Sequence, residues 1–307
     1  MRLPGTIGLV FLLVLLWVVG VLFTPPNEAG GVLALSVADA ILAHIRPWVY
    51  VTAGFYNPNL LQLIVVLPLA FGLAKRVEPD LGALNLARLL VFANTAASFV
   101  LFIELFILYI IFREPFYLNT SMSGFTGGIT ALLVAFMKPS PYATAPILPG
   151  LKLRLYPLVT TLAFTVVSLL GLGTENASIR AALLGAGPYS FLGGFFGWYY
   201  LRFLNKNLDQ TRGDASDEFA LVTLLPDFFS PVVGPVANFC FNVVKLCGYF
   251  KNRSDKPTSV LPVLAETTDD PIAERRKARA MKALDEKLAK LANKRDESSD
   301  TAPLSST

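Results

Sequence analysis

The sequence predicts an all-α polytopic membrane protein, a six-helix bundle followed by a cytosolic amphipathic tail. Three observations carry that prediction. Hydrophobic residues make up 54% of the 307 against 16% charged, and mean hydropathy is +0.56, a balance that an aqueous core does not require. The charges are unevenly spread: residues 1–204 hold 11 Lys/Arg and 7 Asp/Glu, whereas residues 205–307 hold 15 of each. Six stretches approach the roughly 20 apolar residues that cross hydrocarbon as a helix: 7–23, 49–74, 89–112, 124–137, 156–172 and 182–204.

The first stretch follows Arg2 as a signal peptide would, but Val21-Leu22-Phe23-Thr24-Pro25 offers no small-x-small cleavage site, so it reads as a retained helix. Residues 32–45 mix apolar side chains with Ser36, Asp39 and His44 and read as a helix lying on the lumenal surface. Arg2, Lys75, Arg76, Arg88, Lys138, Lys152, Arg154, Arg202 and Lys206 fall on one face, against Arg46, Arg113 and Arg180 on the other. The excess of basic residues marks the cytosolic side, so both termini are expected there. Asn119 and Asn176 open formal glycosylation sequons in the lumenal loops, both too close to the bilayer for much use.

Beyond the last span, Pro226, Pro231 and Pro235 exclude one continuous helix. From 235 to 250, Asn238, Asn242, Lys245 and Tyr249 draw one polar stripe on an apolar helix, which suits the cytosolic interface; a seventh span is the alternative. After a linker, Asp270-Pro271 caps a charged helix, with proline at its first position. Ile272 opens it, Leu284, Leu288 and Leu291 recur at helical spacing, and Arg275 and Arg276 stand beside them, a pattern for a partner helix or an acidic lipid surface; a solvated charged helix is the alternative. The expected division is a membrane domain over 1–204, an interfacial segment over 205–250, a linker over 251–269, a cytosolic helix over 270–295 and a disordered tail over 296–307.

The net charge of +4 comes from the membrane half, where it sets orientation, so it is no nucleic-acid footprint. Cys240 and Cys247 both follow the last span and provide no disulfide framework; near the membrane they are palmitoylation candidates or reduced thiols. No cofactor or metal is expected.

The candidate chemistry lies in four motifs. Arg46-Pro47-Trp48 precedes Thr52-Ala53-Gly54-Phe55; Gly72, Glu78 and Gly82 form a Gly-x(5)-Glu-x(3)-Gly loop; Ser121-Met122-Ser123-Gly124 opens the fourth span; and Ser190, Gly193 and Gly197 are spaced along the sixth. Together they resemble rhomboid intramembrane serine proteases over residues 1–204, which implies a rhomboid-like six-helix bundle with Ser123 at the nucleophile position. The resemblance also implies a histidine base where Ser190 stands, and a serine does not accept that proton at neutral pH. The oxyanion-stabilising positions fall near residues 60–64, where Gln62 is the one donor, and Ser121 replaces the glycine before the nucleophile. His44 is the chain's single histidine and precedes the second span. The degenerate positions Ser123 and Ser190 therefore imply a pseudoprotease. Gly124, Gly128, Gly193 and Gly197 read as small residues that let the fourth and sixth spans pack closely.

Glu104 lies about 15 residues into the third span, roughly 22 Å along it. An intramembrane acid is a candidate functional group, paired with Arg113 or Arg46 or facing a wet cavity; a hydrated carboxyl near the interface is the alternative. Asn94 and Ser98 are expected to make interhelical hydrogen bonds. The tail adds a second likeness. Gly213-Asp214 through Pro226, Pro231-Val232-Val233, and Asp269-Asp270-Pro271 with Ala273-Glu274-Arg275-Arg276 resemble the eukaryotic transmembrane protein 115 family across nearly the whole chain. That resemblance implies a rhomboid-like pseudoprotease of Golgi membranes acting in Golgi-to-ER retrograde transport, whose tail engages a cytosolic Golgi tethering complex. Transmembrane clients and a second copy of the chain are further candidate partners beside the lipid bilayer. The competing functions are a cryptic protease using Ser123 and a lipid or small-molecule transporter organised around Glu104, the latter without a detectable inverted repeat.

Overall fold

A computed structural model of the chain describes residues 3–24, 32–43, 45–143, 152–205, 213 and 219–221. His44, Cys240, Cys247, most of the interfacial segment, the linker and the charged helix lie outside the described residues.

The described residues form α1 (Pro4–Phe23), α2 (Val49–Thr52), α3 (Leu60–Leu81), α4 (Ala83–Phe112), α5 (Pro115–Asn119), α6 (Thr126–Met137), α7 (Tyr156–Gly171) and α8 (Ala177–Tyr199). The wide turns Ala38–Ala43 and Tyr200–Leu204 are π-helical. Helices α1, α3, α4 and the stretch 153–171 are both long and apolar enough to cross a membrane. Helix α6 is apolar but has 12 residues, about 18 Å, and α8 is 23 residues long, its apolarity diluted by Gly, Tyr and Ser. The lipid-facing surface is plain from its exposed side chains, among them Leu22, Leu61, Ile111 and Leu170.

Helix α6 is the hub. Eleven of its residues are buried, and it packs on α3, α4, α7 and α8. Leu86, Leu89, Ile129, Leu132, Met137 and Leu201 form the fully buried centre of the largest apolar cluster.

Three expectations change. The apolar run 49–74 is not one helix: α2 ends at Thr52, and α3 starts only at Leu60, where the side chain of Asn59 accepts from Leu61 N at 3.1 Å. Gly54 and the Asn57-Pro58 pair explain the break, because the residue before proline is driven out of the helical region. The Gly-x(5)-Glu-x(3)-Gly sequence is the last turns of α3 rather than a loop, and Gly82 ends it at φ +81°. The surface helix expected over 32–45 is reduced to the π turn, preceded by irregular chain.

One end of the bundle is held by a carboxylate. Glu78, buried near the end of α3, accepts from Gly5 N at 2.8 Å, Thr6 N at 2.7 Å and Thr6 Oγ1 at 2.6 Å. These amides are the orphan donors of α1's first turn, so Glu78 caps α1 and complements its dipole. Pro188 within α8 removes the amide that would bond Leu184 O, and Ser168 Oγ of α7 donates to that freed carbonyl at 2.7 Å.

Candidate functional site

Residues 120–125 form an extended stretch that ends in a sharp turn into α6. Leu35 and Met122 exchange both backbone hydrogen bonds, at 2.9 and 2.8 Å, so the first loop clasps the stretch as a single antiparallel bridge. That loop is itself tied down: Trp48 Nε1 donates to Val32 O at 3.2 Å and Thr52 Oγ1 to Leu33 O at 3.1 Å. The Trp motif therefore holds the loop that holds the turn. Gly124 has φ +138°, a conformation in which a Cβ is strained, and a Cβ there would also meet Gln62 Nε2 at 2.7 Å.

Ser123 is fully buried and its Oγ has no hydrogen-bond partner. The two amides that follow it are engaged within the protein, Gly124 N to Ala53 O at 3.1 Å and Phe125 N to Asn57 Oδ1 at 3.3 Å. An oxyanion needs donors left free and aimed at developing charge, so these two do not supply it. Ser190 is also fully buried, but its hydroxyl belongs to another contact: it donates to Thr161 Oγ1 of α7 at 3.2 Å. The Ser190 carbonyl accepts from Thr130 Oγ1 at 2.8 Å. The nucleophile position thus has no base hydrogen-bonded to it among the described residues, and a hydroxyl without a base is a poor nucleophile.

The surroundings are polar yet unsatisfied. Gln62 Oε1 and both amide atoms of Asn94 are buried without partners. Asn94 lies against Gly54 and Gly127, a Cβ on either glycine coming within 3.2 Å of it. Of the two α4 residues expected to bond across helices, Ser98 does so, 3.1 Å from the hydroxyl of Tyr189, and Asn94 does not. Gln62 was visible in the sequence as the one donor at the expected oxyanion positions, whereas the roles of Asn57 and Ala53 around the turn were not. Beside the turn, a cavity of about 220 Å³ is lined by residues including Pro115, Asn119, Ser121, Arg180 and Leu184, below the size of ordinary small-molecule sites.

The glycines divide by task. A Cβ on Gly193 would overlap the Gly127 backbone, and one on Gly197 would lie 2.8 Å from Ala131 Cα, so α8 meets α6 through Gly127 and Ala131. Gly128 instead faces the ring of Phe125, and Gly124 faces Gln62. Glu104 is exposed on the outer side of α4, with no partner among the described residues. It is neither paired with Arg113 or Arg46 nor turned into the bundle.

Beyond the C-terminal end of α8, Gly213 N donates to Asn205 O at 2.7 Å; Gly213 has a φ of +73°, and a Cβ there would collide with Arg202 O. Phe219 is buried; its carbonyl accepts from Trp198 Nε1 at 3.0 Å and Lys138 Nζ stands 5.8 Å from its ring centre.

An all-helical membrane bundle in which a Ser-Gly turn enters a buried short helix, clasped by a Trp-anchored first loop, is that of a rhomboid-like membrane protein. The comparison of sequences agrees: the chain is 27% identical over 246 residues to rhomboid-like protein 19 of Arabidopsis thaliana, covering 78% of this chain and 76% of that one. It is 28% identical over 270 residues to transmembrane protein 115 of Homo sapiens, covering 85% and 73%. A transmembrane protein 115 homolog of Saccharomyces cerevisiae shares 32% identity over 114 residues, 32% of this chain and 31% of that one. No solved structure matches. The chain belongs to the family described as eukaryotic integral membrane protein (DUF1751), whose model matches residues 7–290.

Proposed function

We propose that this protein is a non-catalytic, rhomboid-like scaffold of Golgi membranes. Its bundle meets transmembrane clients, and its C-terminal tail recruits a cytosolic tethering complex for Golgi-to-ER retrograde transport. Both termini face the cytosol, as the distribution of basic residues favours. The observation that carries the non-catalytic part is the state of the two serines: Ser123 Oγ is buried without a partner, and the Ser190 hydroxyl is bonded to Thr161. The trafficking part rests on the resemblance of the tail to the transmembrane protein 115 family. Glu104, on the outer side of α4, lines no path through the bundle and so gives a transporter no acid to work with.

Two measurements on purified full-length protein in vesicles test the reading. A serine-directed activity probe is expected to leave Ser123 unlabelled and a helical substrate uncleaved; labelling lost on Ser123→Ala would make the protein a protease. Deleting residues 272–294 is expected to abolish co-purification of the tethering complex, and retention by the truncated chain would refute the tail assignment.

A further inference from the structure

Glu104 breaks the rule that ionisable groups in a span face the bundle or a partner. At the level of Glu104, α4 turns Ser98, Leu101, Phe102 and Leu105 inward, and on Glu104's own stripe the bundle covers Ala93 and Ala97, so the uncovered part of that stripe begins at Val100. Glu104 is exposed, and Val100, Ile107 and Ile111 share its face. Its depth follows from α4 itself. Arg88 marks one boundary of the hydrocarbon, and about 30 Å along the helix the other boundary falls near Tyr109, a residue type that favours that interface. Glu104 is then about 7 Å inside. A helical side chain leans toward its helix's N-terminus, which for α4 is the Ala83 end, so the Glu104 carboxyl points deeper into the apolar layer and away from the nearer water.

The spacing of this face gives the second observation. Val100, Glu104, Ile107 and Ile111 follow steps of four, three and four, the repeat by which one helix seats another, with the acid at one seam position. A single polar group in such a seam fixes the partner and its register. A symmetric pair of this chain would set two like charges against each other, and the nearest basic residues of α4 are at its two ends, Arg88 and Arg113. The charge therefore calls for a basic group from another protein.

We propose that Val100, Glu104, Ile107 and Ile111 form a docking seam for one transmembrane helix of a client protein, selected by a lysine or arginine about 7 Å inside the same interface. The seam deepens the scaffold reading, resting on it only for the premise that the bundle meets other spans.

The test uses full-length labelled protein co-reconstituted in phosphatidylcholine vesicles with synthetic single-span leucine–alanine helices, association being read by energy transfer. A helix with one lysine at the matching depth is expected to bind about tenfold more tightly than its leucine control. Moving the lysine about two turns deeper should remove the preference, a comparison that needs no variant of the protein. Glu104→Leu should remove it too, and Glu104→Gln should reduce it. Equal capture of lysine and leucine helices, or a preference unchanged in Glu104→Leu, overturns the proposal. So does self-association of the protein that Glu104→Leu abolishes, which would assign the seam to a second copy. Loss of the lysine preference with the tethering complex still bound sinks the seam alone, whereas probe labelling of Ser123 sinks the scaffold reading and leaves the seam standing.

Discussion

Thr6 binds Glu78 twice, through its backbone amide at 2.7 Å and its hydroxyl at 2.6 Å. The two residues are 72 apart in the chain, and both are buried, so this contact fastens the start of the first helix to the end of the third. Glu78→Ala leaves Thr6 N, Thr6 Oγ1 and Gly5 N without their acceptor, at a cost of about 3 kcal/mol or more. Thr6→Val removes only the hydroxyl bond and should cost about 1–2 kcal/mol. Thermal unfolding in detergent should rank them wild type, Thr6→Val, Glu78→Ala; equal midpoints for the first and last would show that the cap is idle.

Ser123→Ala removes a buried hydroxyl that bonds to nothing. Its stability should equal or exceed the wild type by up to about 1 kcal/mol. Denaturant titration in micelles checks this, and a loss of more than that amount would mean that the hydroxyl has an acceptor in the folded protein.

Gly193→Val has to push α8 from the Gly127 backbone, so it should destabilise by about 3 kcal/mol or prevent folding. Gly72→Ala is the control: a Cβ there meets nothing within 4 Å, and the helix should gain up to about 1 kcal/mol. Size-exclusion profiles and unfolding midpoints of the pair distinguish packing from general sensitivity of glycines; similar losses in both would remove the packing argument.

Phe219→Ala empties the buried site of the ring that Lys138 stands over and should cost about 3 kcal/mol locally, loosening the segment whose carbonyl at 219 accepts from the Trp198 indole. The indole of Trp198 then gains access to water. Iodide quenching of tryptophan fluorescence should rise in this variant, and unchanged quenching would mean that the Phe219 contact does not govern that indole.

Much of the bundle was legible because crossing a membrane demands long apolar runs: 7–23 and 156–172 map onto α1 and α7 within three residues, and 89–112 onto α4, which starts six residues earlier at Ala83. The run 49–74 misled because apolarity alone does not separate a helix from a clasp; Gly54 and Asn57-Pro58 carried the break. The Ser-Gly turn into α6 was readable from the Ser121-Met122-Ser123-Gly124 motif. Most of what surrounds Ser123 was not: Gln62 was expected nearby, but Leu35, Ala53 and Asn57 reach the turn only through the folding of the first loop and the start of α3. Glu104 could be ranked for depth from position, but its direction depends on which side of α4 the other helices cover.

The grip of Ala53 and Asn57 on the amides after Ser123 sets a limit for engineering. An imidazole introduced at position 190 would supply a base while both amides stayed occupied by the protein's own backbone and side chain, so no donor would be free to meet an oxyanion until the clasp around the turn was opened as well.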